Sequence, residues 1–224
     1  MIDIIDIDNS IVISSVEDLK EYSVKVDGAV KARLKDFQLV GSTGTLIDLF
    51  RELVFCILTA NASAKMGLKT INVIDDDILL FGSEQDITAK LTGIYRFPIS
   101  RANYIVRTRA FLKNHCNNDL RKIFDDFQGD PSALRFFLAS NLIGIGYKEC
   151  SHFLRNVGFK GYAILDKHVI SMLNLLGCNV QKPRKKSEYV TTELKMKDFA
   201  VKHDLDFDEL DLLFWSYKTG EIIK

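Results

Sequence analysis

The stretch Leu142–Lys148, reading LIGIGYK, constrains the fold more than any other part of this chain. Gly144 and Gly146 stand one residue apart between two runs with helical apolar spacing. Ahead of them, Leu134, Phe137, Leu138 and Leu142 recur on one helical face. Behind them, Cys150, Phe153, Leu154 and Val157 follow i, i+3, i+4, i+7. The natural reading is a helix, a two-glycine hairpin and a second helix. Without Cβ atoms, such a turn lets backbone N–H groups approach a phosphate closely at the second helix's N-terminus.

Two polar residues near the hairpin carry chemical possibilities. Lys148 is expected at the first position of the second helix, where the helix dipole disfavours a cation and so favours the neutral amine that a nucleophile requires. Asp166 lies eighteen positions further on, ahead of Val169, Met172, Leu173 and Leu176, again at i, i+3, i+4, i+7. It is expected as an N-cap or first-turn carboxylate of the next helix.

The rest of the chain sets bounds. Its 224 residues suffice for one domain or two packed lobes. Apolar residues make up 47% and charged residues 27%, with 30 basic residues against 30 acidic ones. There is thus no global basic signal for nucleic acid, although a local patch can still supply the field. No uncharged apolar run reaches membrane-spanning length, and the N-terminus lacks a cationic signal-peptide start, so a cytoplasmic protein without membrane partners is expected. Cys56, Cys116, Cys150 and Cys178 lie far apart, with no C-x-x-C pair.

Read in order, the chain is nearly all helical. The first dozen residues form a short edge strand or an irregular arm. Ser15 and Asp18 resemble a capping box opening a helix to about Val40, and Gly41-Ser42-Thr43-Gly44 then breaks the chain. From Thr45, Leu46, Leu49, Phe50, Leu53, Ile57 and Ala60 mark a central buried helix, apolar nearly all round. A small polar cluster follows at Thr59–Ala64, where Asn61 reads on local grounds as a cap or turn residue. Asp75 to Thr92 reads as one or two short helices. Between Tyr95 and Asn118, Arg96, Arg101, Arg107, Arg109 and Lys113 occur without an acidic residue, the best candidate for a duplex-facing surface. Asp130 and Pro131 start the helix that leads into the hairpin. Lys182–Lys186 is a basic loop, read as a linker ahead of a helix from about Ser187 to Lys202. The last helix, near Phe207 to Lys218, buries Leu210, Leu213, Phe214 and Tyr217, with Asp211, Trp215 and Thr219 on another face.

Gly144-Ile145-Gly146-Tyr147-Lys148 followed by Asp166 resembles the helix-hairpin-helix, Gly/Pro-Asp signature of base-excision DNA glycosylases. The longer runs GIGYKECSHFLRNVG and LDKHV are similar to the archaeal 8-oxoguanine DNA glycosylase/AP lyases of the second Ogg group, and the resemblance covers about Leu46 to Lys224. It implies an all-α fold of two helical lobes with the active site in the cleft between them. One lobe would span 45–160 and end in the hairpin. The other would combine 1–44 with 161–224. It further implies a bifunctional enzyme acting as a monomer on double-stranded DNA that contains 8-oxoguanine. Lys148 would be the nucleophile and Asp166 the catalytic carboxylate. Gly144, Gly146, Glu149 and His168 would contact phosphate. Asn61, with Ser63 beside it, would fill the gap left by the extruded base.

Base recognition would fall to Trp215 in the last helix and to Phe97, with Tyr104 as fallback, and Asp211 would contribute to the pocket. The terminal carboxylate of Lys224 would read the N7 proton of the lesion. Backbone carbonyls of Ser140, Leu142 and Ile145 would bind a monovalent cation, sodium or potassium. No cofactor is required, and the bunched cysteines that hold an iron–sulfur cluster in related glycosylases are absent. The sequence departs from these relatives in its longer N-terminal arm and in Pro98 beside Phe97. Two alternatives stay open: a glycosylase for another lesion, such as an oxidised pyrimidine or alkylated purine, and a helix-hairpin-helix DNA-binding module without catalysis.

Overall fold

The structure, a computed structural model, describes residues 5–7 and 11–223, so the Lys224 expectation lies outside the described residues. The chain divides into two compact units. One comprises residues up to Gln38 together with Gly158 onward, and the other comprises Leu39–Val157.

The first unit opens with β1 (Ile5–Asp6) and then carries most of α1 (Val16–Thr43). Ser15 and Asp18 cap α1 reciprocally: Ser15 N–H donates to Asp18 Oδ2 at 2.9 Å and Asp18 N–H donates to Ser15 Oγ at 3.2 Å. Bonds from Ser14 and Ser15 hold the Asp18 carboxyl down to about 2. Leu19, Tyr22, Val26, Val30 and Phe37 form the buried stripe of α1. Tyr22 reaches α12 (Phe207–Thr219), its hydroxyl 2.9 Å from Ser216 Oγ. Helix α10 (Lys167–Leu175) packs on α12, which also packs on α11 (Lys186–Lys202). β1 pairs antiparallel with β2 (Glu221–Ile222), Ile5 opposite Ile222 and Asp6 opposite Glu221.

The second unit is built around α2 (Leu46–Thr59). Thr45 and Asp48 form its capping box. Leu49, Leu53, Val54, Phe55, Cys56, Ile57 and Leu58 are all fully buried, because α3 (Ala64–Ile71), α6 (Pro98–Cys116), α7 (Leu120–Asp126) and α9 (Tyr147–Asn156) cover α2 from several sides. The short α4 (Asp76–Phe81) and α5 (Glu84–Leu91) pack in series towards α6, and α8 (Pro131–Asn141) packs on α9. Burying an aliphatic side chain of this size contributes roughly 1.5–3 kcal/mol, so α2 dominates the core of this unit.

Several elements differ from the sequence reading. Helix α1 does not stop before Gly41-Ser42-Thr43-Gly44 but runs to Thr43. A Cβ on Gly41 would lie 2.0 Å from the Val157 carbonyl oxygen, so the glycine there serves close backbone approach within a helix and not a chain break. The division between units accordingly falls inside α1, six residues ahead of the expected 44/45 boundary, and directly after α9, three residues ahead of 160/161. Helices α3, α6 and α7 had no sequence assignment. In α6 the apolar stripe is interrupted by buried Arg101 and Thr108, which hides its periodicity. Glu221–Ile222, beyond the last helix and without a sequence assignment, is a strand.

Candidate functional site

The hairpin lies wholly within the second unit. Helix α8 starts at Pro131, with the Asp130 carboxylate accepting from Ala133 N–H at 2.9 Å, and gives way at Leu142. Leu142 and Ile145 turn into the core, 4% and 7% exposed. Gly144 reverses the chain at φ +85°, and the ring of Tyr104 occupies the space where a Cβ would be. Gly146 is the N-cap of α9 in extended backbone, with φ −114° and ψ −163°.

Because α9 begins at Tyr147, Lys148 is the second helical residue and not the first. It remains within the first turn, and its side chain is 31% exposed. The amine stands 3.0 Å from Glu149 Oε1, while Glu149 Oε2 accepts the Gly146 N–H at 3.1 Å. One carboxylate therefore spans the hairpin amide and the lysine. The unpaired amides of the first turn disfavour a cation there, and Glu149 offsets that. It also means that a phosphate at the Gly146 amide must displace the Glu149 carboxylate first. From α8, buried Arg135 steadies this turn: its guanidinium lies 4.9 Å from the Tyr147 ring centroid and donates to Ser151 Oγ at 3.1 Å. Sequence reasoning passed over Arg135, a lone cation on the apolar face of α8.

The expected gap-filling residue sits in the turn joining α2 to α3. Asn61 is exposed and left-handed, with φ +63°. Ser63 is spent as the N-cap of α3, accepting from Met66 N–H at 3.2 Å. Asn61 and Phe97 stand thirty-six positions apart, yet they line one open cavity of about 500 Å³ with Met66, Ile94 and Arg96. Pro98 does not distort this region. It occupies the first turn of α6 and leaves Phe97 as the N-cap residue, 43% exposed, with Arg96 4.9 Å from its ring centroid. Tyr104, the fallback stacking residue, is instead packed beneath the hairpin against Gly144.

The basic run divides in two. Arg96, Arg107 and Lys113 are exposed. Arg101 is buried and donates to the Ala60 carbonyl, and Arg109 donates to the Leu79 and Gly82 carbonyls at 2.8 and 2.6 Å. These two arginines cap helix C-termini and do not belong to a duplex-facing surface.

In the first unit, Asp166 is the N-cap of α10, its Oδ1 accepting from His168 N–H at 2.8 Å and Val169 N–H at 2.9 Å. Both amides use one oxygen, and neither engages Oδ2. The approach to Asp166 is clamped by side chains the sequence reading missed. Gly161 N–H donates to Asp208 Oδ1 at 2.6 Å, Ala163 N–H to Glu193 Oε1 at 2.8 Å, and Leu165 N–H to the Tyr189 hydroxyl at 3.2 Å. Tyr189 and Glu193 sit four apart on the buried side of α11, a polar pair on an apolar face and the one signal available from the sequence. Burial pushes the Asp208 carboxyl up. Burial likewise holds His168 below its ordinary value, against the opposing pull of the Asp166 carboxylate. On α12, one face carries Asp211, 6% exposed, and half-buried Trp215. Asp166, His168, Asp211 and Trp215 thus share two packed helices of one unit, whereas Lys148, the hairpin, Asn61 and Phe97 belong to the other.

Among the described residues, no helix is long and apolar enough to cross a membrane.

Residues 30–205 match the family model Ogg-HhH, described as 8-oxoguanine DNA glycosylase. The 8-oxoguanine DNA glycosylase/AP lyase of Korarchaeum cryptofilum is 35% identical over 217 residues, covering 93% of this chain and 99% of that protein. That of Methanocaldococcus jannaschii is 34% identical over 215 residues, covering 95% and 99%. The fold is similar to the crystal structure of the Methanocaldococcus jannaschii glycosylase/lyase in complex with a 15mer DNA containing 8-oxoguanine. The TM-score is 0.83 at 31% identity, covering 93% of this chain and 99% of the other. The 8-oxoguanine DNA glycosylase of Thermotoga maritima gives a TM-score of 0.82 at 33% identity, with 93% and 98% covered.

Proposed function

This chain belongs to the Ogg-HhH family of 8-oxoguanine DNA glycosylases, and on that premise we propose that it excises 8-oxoguanine from DNA and then nicks the strand as an AP lyase. The observation that carries the lyase half is Lys148: a partly exposed lysine in the first turn after a glycine hairpin, where a nucleophile for the sugar is wanted.

In the proposed sequence, the damaged base leaves the stack at a cost of about a few kcal/mol. Neutral Lys148 attacks C1′ as the C1′–N9 bond breaks, and the base departs with that electron pair and takes up a proton. The amine adduct opens the sugar ring to a Schiff base. Loss of a C2′ proton then expels the 3′ phosphate by β-elimination. Glu149 is the nearest acceptor for the proton that Lys148 sheds. Asp166, with Oδ1 committed to the α10 amides, offers Oδ2 to the positive charge that builds on the sugar. No cofactor enters these steps.

We assign phosphate contact to the amides of Gly144, Gly146 and Glu149 and to His168. Gap filling is assigned to Asn61, supported by its place in the cavity with Phe97. Base stacking is assigned to Trp215 and Phe97, with Asp211 beside Trp215. Carbonyls of Ser140, Leu142 and Ile145 suit a hard monovalent cation, because the last carbonyls of a helix such as α8 lack intrahelical donors and carry its negative dipole end.

Borohydride trapping on a duplex carrying 8-oxoguanine opposite cytosine tests this reading. Wild-type protein should form a covalent adduct, and Lys148→Gln should form none. An adduct that persists in Lys148→Gln refutes the assignment, and excision of oxidised pyrimidines or alkylated purines in preference to 8-oxoguanine refutes the substrate.

A further inference from the structure

Arg101 is a charged residue of which only 6% is exposed, and capping α2 uses only part of its guanidinium. Its partners lie at two different places in the second unit. Nη2 donates to the Ala60 carbonyl at the end of α2, the residue immediately before Asn61. Nε donates to the Tyr95 hydroxyl at 3.3 Å, and that hydroxyl donates to the Leu58 carbonyl at 2.6 Å. On the other side, the guanidinium lies 5.4 Å from the centroid of the Tyr104 ring. That ring fills the space beside Gly144 where a side chain would project.

A continuous path of packed groups therefore runs from the left-handed Asn61 turn through Arg101 and Tyr104 to the hairpin that precedes Lys148. A guanidinium suits this place because it is planar and offers several donors in fixed directions. It neutralises the negative end of α2 and still presents a flat face to an aromatic ring. A lysine supplies the charge but not the fork.

We propose that Arg101 is a positioning residue for base excision, holding the Asn61 turn and the glycine hairpin in one fixed relation so that gap filling and nucleophilic attack address the same nucleotide. This rests on the function proposed above and adds to it a residue that touches no DNA. It acts through Asn61 on one side and through Tyr104 and Gly144 on the other. Its effect should fall on the coordination of base extraction with attack; an abasic sugar needs the hairpin alone, whose following turn keeps its own support from Arg135 and Glu149.

The test compares single-turnover cleavage of two duplexes, one with 8-oxoguanine opposite cytosine and one with a preformed abasic site. It uses wild type, Arg101→Lys, Asn61→Ala and the double variant. A displacement near 1 Å in a catalytic arrangement costs on the order of 100-fold, so Arg101→Lys should slow 8-oxoguanine cleavage by about tenfold to 100-fold. Abasic-site cleavage should stay close to wild type. The double variant should be no slower than the worse single variant, since both act on one step. Equal slowing on both duplexes, or single effects that multiply, overturns the proposal and leaves Arg101 a stability residue. Should Arg101→Lys not fold, Tyr95→Phe removes the hydroxyl that orients the guanidinium and is read by the same ratio. A wild-type protein that cleaves neither duplex would instead refute the proposed function itself.

Discussion

The two hairpin glycines are adjacent in purpose but not in physics, and replacing each by alanine separates them. At Gly144 the backbone has φ +85°, and a Cβ would stand 2.3, 2.8 and 3.0 Å from three carbons of the Tyr104 ring. The left-handed conformation costs an alanine about 1–2 kcal/mol relative to glycine. Forcing a methyl into a packed ring costs about 1–3 kcal/mol more. Gly144→Ala should therefore destabilise by roughly 2–5 kcal/mol, which for a chain of this size lowers Tm by about 4–20 °C. At Gly146 the backbone is extended and the nearest atom to a new Cβ is Glu149 Oε2 at 3.6 Å, an ordinary contact. Gly146→Ala should change stability by less than about 0.5 kcal/mol. Thermal and urea denaturation of the two variants, with Tyr104→Ala combined with Gly144→Ala to relieve the clash, closes the cycle. In that cycle the double variant should be about 1–3 kcal/mol more stable than the sum of the two single losses, the overpacking share alone. If Gly144→Ala proves as stable as Gly146→Ala, the hairpin does not turn as described.

Two further expectations concern α10. Asparagine caps a helix as well as aspartate does, so Asp166→Asn should keep stability within a few tenths of a kcal/mol and slow base release, whereas Asp166→Ala should also lose about 1 kcal/mol of stability; equal melting of both variants would contradict the capping geometry. Burial holds His168 below its ordinary value. The unfolded chain therefore takes up this proton first as pH falls below about 6.5, so the stabilising contribution is present above that pH and lost on descent through the folded-state value. His168→Gln should flatten Tm against pH on that acid limb, and an unchanged slope would refute the assignment.

What the sequence revealed follows its physics. The hairpin, α2 and α12 were legible because their buried faces are apolar at helical spacing, and Asp130 and Pro131 mark the start of the helix leading into the hairpin. Helix α6 was not, because Arg101 and Thr108 interrupt its buried stripe. Arg101 and Arg109 read as basic surface because a sequence does not distinguish a cation facing a phosphate from one facing a helix's last carbonyls. The N-terminal edge strand was legible as one of two readings, but its partner β2 was not, since a pair of two residues leaves no periodicity; the register of Ile5 with Ile222 reveals it. Asp166 could be placed on a helix end from spacing alone, but the clamp formed by Tyr189, Glu193 and Asp208 depends on partners 24 to 47 positions away.

Cys150 lies two residues from Lys148, fully buried, with its thiol pushed well above the ordinary range by desolvation. Cys116 and Cys178 are shifted the same way by burial. Peroxide attacks the thiolate, and these sulfurs are kept in the protonated, unreactive form. In a family whose substrate is itself an oxidised base, the thiol nearest the candidate nucleophile Lys148 is thereby held by burial in its less reactive, protonated form.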